Sequence, residues 1–326
     1  MLRCKKIQIL ILLFCCIPGG YRVLAQDAAT TAFYYRAVSA NPALTGSEGD
    51  GKIKLMYRDY YPGRNLNLHS VYFSYDTFAE QVHGGLGLYL SDDMLGGILN
   101  ELRAGGTYSY HLRAGKDLFI NAGFMASVIH RGIKTGNIIL PDQIDPLMGA
   151  VLPPGEVINP ASRTVFDAGL GFLFTYRDYH TGISVNHIFR PDINGSGQER
   201  SRLHRLFSVH GAALLKPGAK DISLNPAFII SMGGNIITAA IGTSVSYKNI
   251  SMNLLPYFSP AYGLSFVQSG VHVNTGRVEL GYNYNFNPLP DNSLQPFTLS
   301  NQVFISVVLN NIKKRDVVKA IIYPKL

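Results

Sequence analysis

The sequence predicts an all-β protein, a transmembrane antiparallel β-barrel of about 14 strands of the outer-membrane type. Three observations predict it. Hydrophobicity alternates with the period of two that strands require, and not with the helical period of about 3.6. The alternating segments mostly run 9 to 15 residues, longer than the roughly five or six of a soluble strand and suited to a tilted membrane-crossing one. The connections between them alternate short and long, as in a barrel with one short-turn end and one long-loop end.

Composition agrees. Glycine (33), tyrosine (19) and phenylalanine (17) are abundant, Trp is absent and charged residues are only 15% of the chain. The large apolar fraction and low charge exclude disorder. After the first thirty residues no stretch is apolar for the roughly 20 residues that a membrane-spanning helix needs.

In chain order, residues 1–25 read as a secretory signal peptide. Arg3, Lys5 and Lys6 precede the apolar run from Ile7 to Ile17, and Val23-Leu24-Ala25 precedes Gln26. Cys15 after Leu12-Leu13-Phe14 raises a lipoprotein alternative, although bulky Phe14 stands where a small residue is expected. Cleavage after Ala25 removes four basic residues and no acidic one, which takes the formal net charge from +8 to +4. That is too little to argue for a nucleic-acid partner. It also removes Cys4, Cys15 and Cys16, leaving no disulfide, cysteine nucleophile or thiolate metal site. Residues 26–50 then make an N-terminal periplasmic segment, 51–311 the barrel, and 312–326 a basic and apolar C-terminal tail.

The strands fall near 51–60, 67–78, 82–92, 98–112, 117–130, 163–175, 178–189, 203–215, 221–231, 236–248, 250–258, 261–272, 274–286 and 298–310. In the clearest, Val278, Leu280, Tyr282, Tyr284 and Phe286 point one way, and Glu279, Gly281, Asn283 and Asn285 the other. Ile237, Ala239, Ile241, Thr243, Val245 and Tyr247 form one face of 236–248. Leu118, Ile120, Ala122, Phe124, Ala126 and Val128 oppose Asn121, Gly123 and Ser127, and Leu86, Leu88 and Leu90 alternate with Gly85, Gly87 and Tyr89. A soluble sandwich buries its apolar faces together and turns charged faces to water. Here the other face is mostly Gly, Ser, Asn and Thr, which suits an outer wall against lipid and a wet or lightly plugged interior.

Tight connections are expected at 79–81, 113–116, Arg177, 216–220, Asn249 and Val273, and long ones at 131–162, 190–202 and 287–297. Short turns normally face the periplasm, and an even strand count brings both termini to that side. The expected location is therefore the cell outer membrane, integral, with both termini periplasmic. Tyr57, Tyr60 and Tyr61, Tyr108 and Tyr110, Tyr176 and Tyr179, and Tyr282 and Tyr284 cluster near strand ends. They fit an interfacial girdle, although aromatics also populate ordinary strands.

Chemistry is sparse, and no catalytic, cofactor-binding or metal-ligating residue is assigned. His83, His111, His130, His180, His187, His204, His210 and His272 are scattered as lumen, girdle or loop residues, the closest pair being His204 and His210 on one face of one strand. No HExxH, GxSxG, GxGxxG or GxxxxGK[ST] motif is present. Asp92-Asp93 and Asp142/Asp145 could attract a divalent cation, but solvating or capping a turn is the plainer role. The segment 131–162 carries Pro141, Pro146, Pro153, Pro154 and Pro160. It suits a lid over the mouth or a docking surface. Arg103, Glu279 and Lys248 are candidates to line a solute path.

The opening reads Gln26-Asp27, Phe33-Tyr34-Tyr35, then Asn41-Pro42-Ala43-Leu44-Thr45-Gly46-Ser47-Glu48-Gly49. Tyr57-Arg58 ends the first strand, Gly84-Gly85-Leu86-Gly87-Leu88 is followed by Asp92-Asp93 and Gly96, and Asp142-Gln143-Ile144-Asp145 lies in the long loop. Gly281-Tyr282-Asn283-Tyr284 stands near the end. This ordered set resembles the PorP/SprF family of Bacteroidetes outer-membrane proteins over 26 to about 311. Tyr61 stands where members often carry Trp, and the tail after Asn311 runs past where many members stop. The resemblance implies a 14-stranded barrel without enzymatic activity, linked to type IX secretion and, in gliding species, to export of surface adhesins. Its implied partners are secretion-system subunits or a secreted adhesin. Outer-membrane lipids are expected as partners from the two-faced strands themselves. The alternative function is a passive porin or small-solute transporter. The tail (Lys313-Lys314-Arg315, then Val317, Val318, Ala320, Ile321 and Ile322) is either a docking element or a frayed end.

Overall fold

The computed structural model describes residues 34–64, 66–133, 144–145, 149–150, 161–193, 202–218, 221–260, 263–289 and 299–309. Fourteen antiparallel strands close into a barrel. They are β1 (Lys52–Tyr60), β2 (His69–Ala79), β3 (Gly84–Leu95), β4 (Leu99–Arg113), β5 (Leu118–Ile133), β8 (Ala161–Tyr176), β9 (Tyr179–Asn186), β10 (Leu206–Ala213), β11 (Ile222–Gly233), β12 (Ile236–Tyr247), β13 (Ile250–Ser259), β14 (Gly263–Asn274), β15 (Val278–Phe286) and β16 (Ser300–Val308). The two short strands between β5 and β8, β6 (Ile144–Asp145) and β7 (Gly149–Ala150), pair only with each other. Each wall strand pairs with its sequence neighbours, and β1 closes on β16, from Lys52 opposite Val308 to Tyr60 opposite Ser300. Closure leaves no unpaired strand edge, the condition for a sheet to cross a membrane. No helix among the described residues is long and apolar enough to cross one.

The alternation decides which side chain meets lipid. Leu280, Tyr282 and Tyr284 are exposed on the outer wall while Asn283 and Asn285 are buried inside. The same division holds for Leu86, Leu88 and Leu90 against Tyr89, and for Phe124 against Asn121 and Met125. Tyr110, Tyr176, Tyr179 and Tyr247 are exposed at the short-turn rim, and Tyr57 and Tyr284 toward the other. Tyr60 is not a girdle residue. It continues the inward row Met56, Arg58, Tyr60 and is 2% exposed.

The short-turn end carries connections at 80–83, 114–117, 177–178, 248–249 and 275–277. Two of these hairpins have two-residue turns that open on a left-handed residue, Arg177 (φ 55°) and Lys248 (φ 51°). A left-handed first residue matches the twist of the flanking strands. Each pays for its strain locally with a stacked cation, the Arg177 guanidinium 5.2 Å from the Tyr176 ring and the Lys248 ammonium 5.3 Å from that of Tyr247. Lys248 therefore sits on a rim turn and lines no lumen. Val273 belongs to the wall, because its outward side chain extends the alternation of β14, and the turn follows at 275–277. His204 precedes β10 and does not share a strand with His210. Most of 131–162, including Asp142, and the tail 312–326 lie outside the described residues.

The lumen differs from the wet or lightly plugged expectation: it is packed. Tyr72, Tyr89, Met125, Leu173, Ile229, Leu255, Tyr257, Phe266 and Phe304 point inward and are buried. Burying a large apolar side chain contributes about 1.5–3 kcal/mol. What they bury against is the segment upstream of β1.

Candidate functional site

Residues 34–49 lie inside the barrel, which changes the placement of the 26–50 segment from the periplasm to the lumen for its described part. The sequence explains the local shape. Asn41 has extended φ and ψ (−140°, 107°) and caps a 3-10 turn, Pro42–Leu44, its side-chain oxygen accepting the Ala43 N–H at 3.0 Å. Pro42 has no N–H to leave unsatisfied and its fixed φ suits the first position of the turn. A four-residue helix, α1 (Ala37–Ala40), precedes it.

The wall receives this segment with polar groups aimed at its backbone. Ser109 and Asn121 donate to the Ala43 carbonyl at 3.1 and 3.3 Å. Ser184 and Asn186 donate to that of Ala40 at 2.9 and 3.0 Å. His111 Nε2 lies 3.1 Å from the Thr45 carbonyl, the Thr45 hydroxyl bonds that of Thr107 at 2.9 Å, and the Gly46 N–H donates to Asp76 at 2.8 Å. Asn41 Nδ2 reaches the Phe172 carbonyl (3.3 Å) and His210 Nε2 (3.0 Å), bridging β8 and β10. Buried peptide groups need such partners, and each contributes about 0.5–1.5 kcal/mol.

Wall glycines make the room. A Cβ on Gly123 would stand 2.1 Å from the Ala43 nitrogen, one on Gly85 2.0 Å from the Thr45 carbonyl, and one on Gly171 1.9 Å from Asn41 Oδ1. Leu44 and Ala43 fill an apolar cluster with Leu173, Ile229, Ala240, Leu255, Tyr257 and Phe266. Tyr35 packs with Met56, Tyr72, Tyr89, Met125 and Phe304, and its hydroxyl accepts from Gln268 at 3.2 Å. Tyr34 donates to the Phe228 carbonyl at 2.9 Å.

One charged contact holds the upper part. The Arg36 guanidinium grips Asp93 with two hydrogen bonds, at 2.8 and 3.3 Å, with side chains 4% and 7% exposed. Asp93 is therefore the buried partner of an arginine and not half of a cation-binding turn. Asp92 instead accepts from Asn100 at 2.6 Å. Arg103 and Arg131 both pair with Glu101, and Glu279 faces inward 3.8 Å from His272. His187 meets Asp167 at 2.6 Å, a pair brought together by adjacent strands and unreadable from sequence spacing. On the long-loop side of the segment a cavity of about 40 Å³ lies between Arg36, Ser39, Asp167, His187 and Ser231, room for a few waters. Among the described residues no group of three His, Cys, Asp or Glu could hold a metal ion.

What 41–46 does is not legible in the sequence, since an irregular run of small residues carries no period. The glycines opposite it were visible only as the small face of their strands.

Three solved structures align with the chain at low identity. Omp33 of Acinetobacter baumannii aligns at 6% identity and TM-score 0.47, over 81% of this chain and 100% of its own. The toluene transporter TodX of P. putida aligns at 13% and 0.46, over 83% and 92%. A Pseudomonas aeruginosa FadL homologue aligns at 12% and 0.45, over 88% and 98%. No curated protein sequence matches. The family profile described as type IX secretion system membrane protein PorP/SprF matches residues 23–296. The chain belongs to the PorP/SprF family of type IX secretion system membrane proteins, here a closed 14-stranded barrel of the outer-membrane type.

Proposed function

We propose that this barrel serves type IX secretion by docking, holding a secreted surface protein or a subunit of the machinery, and does not pass solutes through its lumen. One observation carries the reading: the chain fills its own lumen with residues 34–49, bonded to strands around most of the wall. Partners then meet the loops and rims. Both described ends of the chain's wall, Lys52 and Val308, lie at the short-turn rim. By the usual orientation that rim is periplasmic, so the wall both begins and ends on the periplasmic side.

A crosslinked pull-down from native outer membranes tests the reading. A secretion-system subunit or an exported surface protein should co-purify, and its absence would refute docking. The cavity beside the segment favours a second reading, a small-solute transporter. Planar-bilayer recording separates the two: a docking barrel should be silent, and steady ohmic conductance would favour the transporter. Truncation after Asn311 addresses the tail. The barrel should still insert and migrate heat-modifiably while partner recovery falls, and unchanged recovery would refute a docking tail.

A further inference from the structure

We propose that residues 34–49 form a two-part gate, with an anchor at 41–46 that stays seated in the wall and a latch at 34–40 held shut by the Arg36–Asp93 pair. The proposal rests on the closed-lumen reading above and adds which part moves.

The two parts are held differently. The anchor sits where wall side chains are missing: its backbone and Asn41 occupy the space that a Cβ on Gly85, Gly123 or Gly171 would take. It is tied to Asp76 of β2, to Thr107, Ser109 and His111 of β4 and to Asn121 of β5, and it fits closely against Gly85 of β3 and Gly123 of β5. Sliding it in any direction breaks several bonds at once and meets backbone.

The latch is held differently: Ser184 and Asn186 fix its downstream end by donating to the Ala40 carbonyl at 2.9 and 3.0 Å. No atom of 34–40 is among those that the wall glycines would meet. Its helix is four residues long, too short to be stable alone. Two tyrosine contacts and the Arg36–Asp93 pair hold its upstream end. The empty space borders the latch: the residues of 34–49 that line the cavity are Arg36, Ser39 and Ala40. Asn41, extended between helix and turn, is the joint.

The ion pair is the decisive restraint because it is buried. A guanidinium in the lumen interior without its carboxylate is strongly destabilised and is driven toward water. An open volume adjoins it in the cavity that Arg36 already lines, and moving Arg36 into it carries 34–40 along. Among the described residues the Arg36 Nε has no hydrogen-bond partner, so Asp93 supplies the side chain's principal hold, with the Tyr72 ring 5.6 Å away.

Single cysteines report the motion cleanly, since none follows Cys16 in the sequence. Val38→Cys marks the latch and Thr45→Cys the anchor, both at buried positions. Each is placed in the full chain folded into liposomes, alone and with Asp93→Asn. Labelling by a water-soluble maleimide and planar-bilayer conductance are then measured. With Asp93→Asn, Val38→Cys should label at least about tenfold faster, the ratio that roughly 1.4 kcal/mol of lost restraint produces. Thr45→Cys should stay protected and brief conductance events should appear. The reversed pair Arg36→Asp with Asp93→Arg should return both readouts to the parent values. Arg36→Ala provides a second way to break the pair if Asp93→Asn fails to become heat-modifiable. Equal acceleration at both cysteines would mean that the whole segment leaves, and no acceleration in either broken pair would mean that the latch does not depend on the ion pair. Both results overturn the gate. Steady conductance of the unsubstituted barrel would instead overturn the closed-lumen reading.

Discussion

A charge placed on the lipid-facing wall should cost free energy according to depth, and the strands fix the depths. Ile241 is 65% exposed on the outer wall, five residues from the start of β12 and six from its end. At about 3.4 Å per residue and a tilt near 40°, that is roughly 13 Å from one rim and roughly 16 Å from the other, near the middle of an apolar band about 25 Å tall. Leu280, also exposed, is two residues from the start of β15 and opposite Val273, next to the end of β14. By the same arithmetic it lies roughly 5 Å from the short-turn rim. An arginine should then cost about 2–4 kcal/mol at Ile241 and about 0–1 kcal/mol at Leu280, where the long side chain reaches the headgroups. The first corresponds to roughly thirty- to nearly a thousandfold in the folding equilibrium. Urea titration of Ile241→Arg, Leu280→Arg and the matching alanine variants in liposomes measures both, with the alanines subtracting lost packing. Equal losses at the two sites, or the larger loss at Leu280, would refute the assignment of the wall and its height.

Asn283→Arg should be as damaging as Ile241→Arg despite its polar-facing position. Asn283 Oδ1 accepts from Asn253 at 3.0 Å and lies over Gly270, where a Cβ would stand 1.9 Å away, so refolding yield should fall for want of space. Gly123→Ala should destabilise by about 1–3 kcal/mol and more than Gly171→Ala, because the first methyl meets main chain and the second a side chain that can turn. Thermal midpoints by heat-modifiable migration would order them, and the reverse order would count against the seat of 41–46. Phe266→Ala, which removes a ring stacked 4.4 Å from Tyr257 in the cluster around Leu44, should cost about 3–5 kcal/mol. A loss under about 1 kcal/mol in urea titration would mean that this part of the lumen is loosely filled.

The strands and their faces were legible in the sequence, and the reason is local. A pleated strand sends side chains alternately to lipid and lumen, so Val278 to Phe286 carries its own orientation in its spelling. Length and loop rhythm then imply closure, since an open edge in lipid would leave peptide groups without partners. Alternation says which way Tyr60, Tyr89 and Asn283 point, but the number of strands and the tilt decide whether they meet water or each other. Only the closed barrel shows that they meet a segment of the same chain. Arg36 meets Asp93 because the luminal segment and the wall face one enclosed space, and His187 meets Asp167 because β8 and β9 are paired side by side. Asn41-Pro42-Ala43-Leu44-Thr45-Gly46 has no period to read, and its fit depends on glycines of β3, β5 and β8, whose common level is set by hydrogen-bond register. The wall is written in local alternation; the packed lumen is a property of closure, because residues facing the axis become neighbours only when β1 meets β16.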